Sequence, residues 1–521
     1  VNNSHIFNQS ALNAQQNSTV SFTKRFLNLP ITITGTGSYS QNFTTGLTDI
    51  RLPQLNVSTN QFYLFKPKTG VRTGLLENIN VNTGLQFSNY VSGVKSGDLF
   101  IALSGKNFDG HKFVSQAKDR GAVAAMVNQG SDIKENKGSK IPMIVVKDTL
   151  LGLGRLAAYW RGCFDIPLIA VTGSNGKTTV KEMIASILFQ LVGKDSNKVL
   201  ATTGNLNNDI GVPKMLLQLC KQHKYAVIEM GMNHLGEISY LTGLAKPTVA
   251  LITNAGAAHI EGTGSVEAVA SAKGEIFEGL DELGIAVINA DDLNTQLWHK
   301  LAGSRSVIEF GLSKEVKVSG SYQLNLTDTR MKLKLPDGAI EVKLRVPGKH
   351  NVYNALAAAA ASTAIGISKE NIASGLGLFG GVDGLLQQKK CQDGATMIDD
   401  SYNANPESVR AALSVLASTL GKKILILGDM GELGDNAVDF HECIGEEARL
   451  IGIDRLFALG ELSAHSVKKF GAGAQHFKNI EDLMAVVESA LAPNVTLLIK
   501  GSRFMQMDRI VRKFELELFD I

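Results

Sequence analysis

The segment Val171–Met183 reads VTGSNGKTTVKEM, and it restricts the folds open to this chain more than any other feature. The apolar run PLIA precedes it with the composition of a buried strand, and KEMIASILFQL follows with helical spacing. Strand, glycine-rich turn, Lys-Thr-Thr and helix in that order make a phosphate cradle. Backbone N–H groups of Gly173, Ser174, Asn175, Gly176 and Lys177 would converge on an anion at the helix N-terminus. Lys177 adds a point charge, the Thr178 hydroxyl suits Mg²⁺, and Thr179 belongs with them to the nucleotide-binding segment. A conventional P-loop places a glycine five residues before the glycine of Gly-Lys, where this chain has Val171, so the loop is shortened.

Around this segment the chain reads as α/β, with strands and helices alternating. DLFIAL, VAAMVN and IPMIVV, with GHKFVSQAKDRGA between the first two, predict a small N-terminal α/β module. KYAVIEMG, TVALITNAG and GIAVINAD continue a central P-loop ATPase-type parallel sheet. Between 305 and 347 the pattern turns to strict alternation (KLKLPDGAIEVKLRVPG), which predicts hairpins, and HNVYNALAAAAASTAIG predicts a small-residue helix. KKILILGD, RLFALG and TLLIKGS predict a C-terminal Rossmann-like domain without the GxGxxG fingerprint.

The expected boundaries are an atypical extension at 1–84, a precursor-binding domain at 85–158, a central domain at 159–381 and a C-terminal domain at 382–521. A length of 521 residues is too great for one core and agrees with several domains. The first 60 residues hold nine Asn and only four charged side chains, Lys24, Arg25, Asp49 and Arg51, which predicts short strands and loops or a poorly ordered arm.

The net charge of +3 gives no reason to expect nucleic acid or anionic membrane as a partner. Cys163, Cys220, Cys391 and Cys443 are widely spaced, which argues against a zinc site or a disulfide framework. No run of 18 apolar residues and no secretory signal is evident, so a cytoplasmic location is the default expectation.

Other residues have chemistry suited to a site. Glu229 ends the strand YAVIE, where a magnesium ligand beside a P-loop is needed, although a strand-end Glu can equally be solvated. His259 and Lys273 have, by themselves, no more than the ordinary meaning of a strand-end His and a helical Lys. Asn205, Asn207 and Asn208 crowd one loop, as ligand donors or as Asx-turn formers.

GSNGKTT, TTGNLNNDIGVP, VIEMGMNHLGEI, AHIEGTGSVEAVASAKGEIF, GKHNVYNALAAAA, DDSYNANPESV, LGDMGELGD and KGSR occur in this order. Together they resemble the Mur ligase family over about residues 97–515. DSYNANP and GDMGELG favour the member that adds D-alanyl-D-alanine to UDP-N-acetylmuramoyl-tripeptide over siblings that add single amino acids.

The resemblance implies an ATP-dependent ligase of peptidoglycan precursor synthesis. It phosphorylates a peptide carboxylate and then admits the amine, with ATP and two Mg²⁺ ions, as a monomer. It implies further that Lys177 and the loop bind phosphates, that Thr178 and Glu229 hold one Mg²⁺, and that His259 and a carbamylated Lys273 help hold the second. Asn351 and Asn354 match adenine-side contacts, and Asp400 matches an aspartate that reaches the nucleotide. Asn403, Asn405 and Pro406 fall at the dipeptide site. Asp98, Phe108, Asp109, Gly110 and His111 belong to the module that holds the UDP-sugar.

Two departures stand out. Leu385 occupies the place of a family arginine that approaches the phosphates, with Lys389, Lys390 and Arg410 as possible substitutes. The uridine-side motif reads SNYVSGVKSGDLF without the expected Asp and Arg, and TGLTDIR at 45–51 is a fainter echo of it. These departures leave a ligase-like binder with weak turnover, or a sibling with another acceptor, as alternatives.

Overall fold

The computed structural model describes residues 94–105, 108–131, 141–256, 260–313, 315–325 and 327–516, together with backbone strands at 15–25, 31–42, 48–59, 62–63 and 80–81. Contacts divide the chain into two units, Val1–Thr149 and Leu150–Ile521.

In the first unit, β1 (Gln15–Arg25), β2 (Ile31–Asn42) and β3 (Thr48–Thr59) form an antiparallel sheet in sequence order. These strands of 11 to 12 residues are longer than the composition suggests. Their Thr, Val and Ile content favours extended backbone despite the Asn. A separate parallel sheet follows, of β4 (Leu99–Ile101), β5 (Ala124–Asn128) and β6 (Met143–Val146), with β5 in the middle. Helix α1 (Val114–Asp119) covers it through Val114 and Ala117.

The second unit opens with α2 (Thr149–Arg161), whose Arg161 guanidinium caps carbonyl groups of Phe164 and Ala245. Six parallel strands then form a sheet: β7 (Leu168–Thr172), β8 (Val199–Ala201), β9 (Tyr225–Glu229), β10 (Val249–Ile252), β11 (Ile285–Asn289) and β12 (Ser306–Phe310). The spatial order is β8-β9-β7-β10-β11-β12, so β7, the first in sequence, lies inside the sheet. The direction in which successive strands are added reverses at β7, and a doubly wound sheet opens a crevice for ligands at such a point. All five residues of β7 are buried, and each buried aliphatic contributes about 1.5–3 kcal/mol, so the strand is a firm mount for the loop that follows.

That loop leads into α3 (Lys177–Leu191), which buries Val180, Met183, Ile184, Ile187 and Leu188. Opposite them lies α8 (Lys349–Ala364), whose run Ala355–Ala361 is fully covered; small side chains let the two helices approach closely. The predicted hairpins are β13 (Ser319–Leu324), β14 (Thr329–Leu335) and β15 (Gly338–Leu344). On β14, buried Met331, Leu333 and Leu335 alternate with exposed Arg330, Lys332 and Lys334, and the apolar side joins the α8 core. Between these elements run α4 (Gly211–Leu216), α5 (Glu237–Ala245), α6 (Val266–Gly274) and α7 (Thr295–Ala302), with α9 (Lys369–Leu378) following α8.

The last sheet contains β16 (Gln387–Lys390), β17 (Thr396–Asp400), β18 (Lys422–Gly428), β19 (Arg455–Leu459), β20 (Ala474–Phe477) and β21 (Val495–Lys500). Its order is β16-β17-β21-β18-β19-β20, parallel except for the edge pair β16/β17. Helix α10 (Pro406–Ala417) packs on β21, and α11 (Ala437–Leu450) follows β18. The C-terminal ends of β17, β21 and β18 therefore lie side by side. Mixed α/β layers with two parallel-rich sheets are the fold class the sequence predicts.

Candidate active site

The loop 173–176 runs from β7 into α3 with two glycines in left-handed territory. Gly173 has φ 152° and Gly176 φ 80°. A Cβ at Gly173 would lie 1.8 Å from Thr253 Oγ1, and one at Gly176 would lie 2.3 Å from Asn354 Oδ1. Both positions exclude side chains by space as well as by backbone.

The loop is clamped by the end of β10. Thr253 Oγ1 donates to Asn175 O at 2.6 Å, Asn175 N donates to Asn254 Oδ1 at 2.9 Å, and Gly256 N donates to Ser174 Oγ at 2.9 Å. The N–H groups of the first turn of α3, Lys177 to Thr179, have no intrahelical acceptor, which is the normal condition of a helix N-terminus and suits an anion. Lys177 Nζ donates to the carbonyl of Gly173 at 2.7 Å, and burial pulls its pKa below the usual lysine value. Phosphate oxygens would restore that charge.

Glu229, at the tip of β9, is buried and doubly held. Thr178 Oγ1 donates to Oε2 at 2.9 Å, and Asn207 Nδ2 donates to Oε1 at 2.8 Å. A hydroxyl and one carboxylate beside a phosphate loop form a hard-oxygen donor set that fits Mg²⁺, which takes one or two carboxylates and fills its remaining positions with phosphate and water. Among the described residues no three His, Cys, Asp or Glu side chains cluster to cage a metal alone.

Lys273, near the end of α6, is 1 % exposed, and burial followed by the nearby charge of Lys177 pushes its pKa well down. A neutral buried amine is a nucleophile for carbon dioxide, which is the chemistry carbamylation requires. His259 lies outside the described residues.

The amide loop separates into three cases. Asn207 orients Glu229, and Asn208 Oδ1 accepts Gly211 N at 2.8 Å to start α4, while Asn205 is exposed. On α8, Asn351 Nδ2 donates to Pro347 O at 2.8 Å, and Asn354 Nδ2 donates to Asn351 Oδ1 at 3.1 Å, which carries the amide pair up to the loop glycine. A cavity of about 890 Å³ opens at the start of the same helix, lined by Asn325, Gly348, His350 and Tyr353 from one side and Ala411 and Ser414 of α10 from the other. It is roomy enough for a nucleoside. His350 Nε2 is buried there without a hydrogen-bond partner among the described residues, and burial lowers the pKa of the ring to about 4.

At the end of β17, Asp400 is buried. Lys500 Nζ donates to its Oδ2 at 2.5 Å, and Leu386 N donates to Oδ1 at 3.2 Å. Lys500 also donates to Asn403 O at 2.9 Å. Asn403 itself is exposed, and Pro406 opens α10 at its first turn. Asn405 caps α10 and reaches back to Asn175 in the phosphate loop at 2.8 Å.

Leu385 sits in a turn closed by Leu385 N to Val382 O, and Gly384 O accepts Tyr402 N, both at 3.0 Å. Two of the three proposed stand-ins for the missing arginine are committed elsewhere. Lys389 pairs with Asp399 and Glu515, and Arg410 pairs with Glu447. Lys390 is exposed on the edge strand β16.

In the first unit, His111 is buried and both its ring nitrogens are engaged. Nε2 accepts Asn128 N at 2.9 Å and Nδ1 meets Asp109 Oδ1 at 2.7 Å, which holds the Asp109 carboxyl below its usual pKa. Asp109 stays 42 % exposed, so it and not His111 has polar capacity left for a ligand. Residues 88–93 of the altered uridine-side segment, and 45–47 of its echo, lie outside the described residues.

Sequence reasoning did not single out Thr253, Asn254, His350 or Lys500. KGSR was part of the resemblance, but strand position alone gave its lysine no partner.

A shortened phosphate loop at a switch point, tied through Asn175 and Asn405 to a helix that covers a second α/β sheet, defines a class of nucleotide-dependent ligases. The family model "Mur ligase middle domain" matches residues 171–362, and "Mur ligase, glutamate ligase domain" matches 386–503. The chain belongs to the Mur ligase family. It is 42 % identical to the UDP-N-acetylmuramoyl-tripeptide–D-alanyl-D-alanine ligase of Escherichia coli K12, over 80 % of this chain and 91 % of that protein. The enzyme of the same name from Bacillus subtilis 168 is 36 % identical over 80 % and 89 %.

Among solved structures, MurF from Acinetobacter baumannii is similar at TM-score 0.75 and 36 % identity, covering 81 % of this chain and 91 % of that one. MurF from Thermotoga maritima, in complex with ADP, is similar at TM-score 0.71 and 25 % identity, with 81 % and 95 % covered. A model described as "LptD protein" matches residues 1–129, a stretch that contains the atypical extension. Among the described residues no helix is long and apolar enough to cross a membrane.

Proposed function

We propose that this chain is the ATP-dependent ligase that joins D-alanyl-D-alanine to UDP-N-acetylmuramoyl-tripeptide, as a cytoplasmic monomer. The observation that carries the reading is the linkage of the shortened phosphate loop to the start of α10 through Asn175 and Asn405, because it joins the ATP side to the acceptor side.

A carboxylate cannot be an acyl donor while its leaving group is oxide. Transfer of the γ-phosphoryl group of ATP to the tripeptide carboxylate gives an acyl phosphate. The dipeptide amine then attacks the acyl carbon, the C–O bond to phosphate breaks, and phosphate leaves. Ser174 N and Asn175 N, expected to face the anion, are spent on Asn254, so the first-turn N–H groups of Lys177 to Thr179 and the Lys177 ammonium hold the phosphates and offset the charge that builds as two anions approach. The adenine side would occupy the cavity lined by Gly348, His350 and Tyr353, with Asn351 and Asn354 on the same helix.

Thr178 and Glu229 would hold one Mg²⁺, with His259 and carbamylated Lys273 at a second. Ions held by these residues would supply positive charge to screen the phosphate oxygens from the attacking carboxylate. Asn207 keeps Glu229 turned toward Thr178. Asp400, expected on the nucleotide side, has its oxygens bonded to Lys500 and Leu386, and with Lys500 it would instead fix the floor of the acceptor side, where Asn403 and Asn405 would meet the dipeptide. Residues 85–158, with Asp109, would hold the UDP-sugar, 159–381 the ATP, and 382–521 the dipeptide.

The test is ADP release by the full chain with UDP-N-acetylmuramoyl-tripeptide as donor. Release should require D-alanyl-D-alanine, and Lys177→Ala should lower it by about 10²–10³-fold. Equal stimulation by single amino acids, or unchanged turnover in Lys177→Ala, would overturn the reading. Leu385 favours one second reading, a binder with weak turnover, because Lys389 and Arg410 are paired elsewhere.

A further inference from the structure

The adjacent ends of β17, β21 and β18 carry Tyr402, Arg503 and Glu432, which have no part in the chemistry described so far. One hydroxyl links these ends. Ser502 Oγ donates to Ala404 O at 3.2 Å and accepts Gly431 N at 2.8 Å, and Ser502 N donates to Asp429 O at 2.9 Å. Arg503 follows Ser502 and Glu432 follows Gly431, so a cation and an anion stand on one rim of the sheet. The guanidinium of Arg503 lies 5.6 Å from the centroid of the Tyr402 ring. Arg503 is exposed and makes no ion pair among the described residues. Glu432 holds φ 61°, a left-handed conformation that costs energy in a residue with a Cβ and that persists where the surroundings impose it.

The turn that carries Tyr402 continues to Asn405, whose Nδ2 reaches Asn175 of the phosphate loop at 2.8 Å. The charge of Glu432 is felt at Lys177, and Tyr402 is within electrostatic reach of both Arg503 and Glu229.

An unblocked dipeptide with methyl side chains offers little to recognise except its two charges, an ammonium at one end and a carboxylate at the other. Extended, it spans roughly 7 Å. Neighbouring strands lie about 4.8 Å apart, so charged side chains from two adjacent strand ends can flank it. We propose that Arg503 and Glu432 are the specificity pair for the acceptor, Arg503 reading its carboxylate and Glu432 its ammonium, with Tyr402 as the platform that holds the guanidinium in place. This inference rests on the dipeptide-ligase reading above and assigns the residues that select the acceptor.

The experiment compares D-alanyl-D-alanine with D-alanyl-D-alaninamide, which lacks the carboxylate charge, in ADP release by the full chain. In the unaltered protein the amide should show a KM about 10- to 100-fold higher, the range expected for a lost charged hydrogen bond. Arg503→Met should raise the KM for the dipeptide by a similar factor, abolish the preference for it over the amide, and leave the KM for ATP unchanged. Arg503→Lys should recover part of the preference. Glu432→Gln should raise the KM for both acceptors, since both carry the ammonium.

A preference that survives in Arg503→Met overturns the inference alone, and so does an effect that falls on ATP, which would make Arg503 the substitute for the missing phosphate-side arginine. Absence of turnover with either acceptor in the unaltered protein overturns the parent reading and this one with it.

Discussion

Asn405 Nδ2 donates to Asn175 Oδ1 at 2.8 Å, and so ties the start of α10 to the phosphate loop across 230 residues of sequence. The same side chain accepts Ser408 N at 2.9 Å as the cap of α10, while Ser408 Oγ accepts Asn405 N. The cap and the tie can be separated by substitution. Asn405→Ser keeps a capping oxygen but cannot reach Asn175, so it should unfold near the unaltered midpoint and show a raised KM for ATP. Asn405→Ala loses both and should cost about 1 kcal/mol more in urea titration. Equal stability and equal KM in the two variants would sink the assignment.

Lys500 and Asp400 form a buried pair on the C-terminal sheet. Burial alone pushes the Asp400 carboxyl up, and the Lys500 ammonium opposes that shift. Lys500→Met leaves the carboxyl without its cation and should destabilise the C-terminal domain by about 3–5 kcal/mol. Adding Asp400→Asn, which keeps an acceptor for Leu386 N, should recover most of the loss. A double variant as unstable as the single would show that the pair is not the cause.

His350 sets a pH dependence. Its folded pKa, near 4, lies below the ordinary 6.5, so the unfolded chain binds more protons between those values and stability falls as pH drops through that window. The loss should approach about 3 kcal/mol below pH 4 and be absent above pH 7. Urea midpoints at pH 7 and pH 4.5 should differ less in His350→Gln than in the unaltered protein. An identical difference in both assigns the effect to other groups.

Leu385 directly precedes Leu386, whose N–H donates to Asp400, and follows Gly384, whose carbonyl is pinned to Tyr402. Leu385→Arg should raise kcat by less than about tenfold and leave the KM for the dipeptide unaltered. A gain of about 10³-fold, near what one oriented cation supplies to a phosphoryl transition state, would favour the weak-turnover reading.

Local sequence determined the phosphate loop, because strand apolarity, glycine conformation and helix onset are all written within about twenty consecutive residues. It determined the buried strands of both large sheets for the same reason, and the alternation on β14, since period two needs only neighbours. What local pattern cannot encode is which distant group meets which. That Asn207 turns Glu229, that Asn354 fills the space above Gly176, and that Lys500 completes Asp400 follow from strand order, and strand order is set by how the helices cover the sheets. The commitment of His111 to Asp109 and Asn128, and of Lys389 and Arg410 to carboxylates away from the loop, was decided in the same way. A side chain has its type from the sequence, but its partner and its protonation come from burial and neighbouring charge, which exist only once the chain has folded.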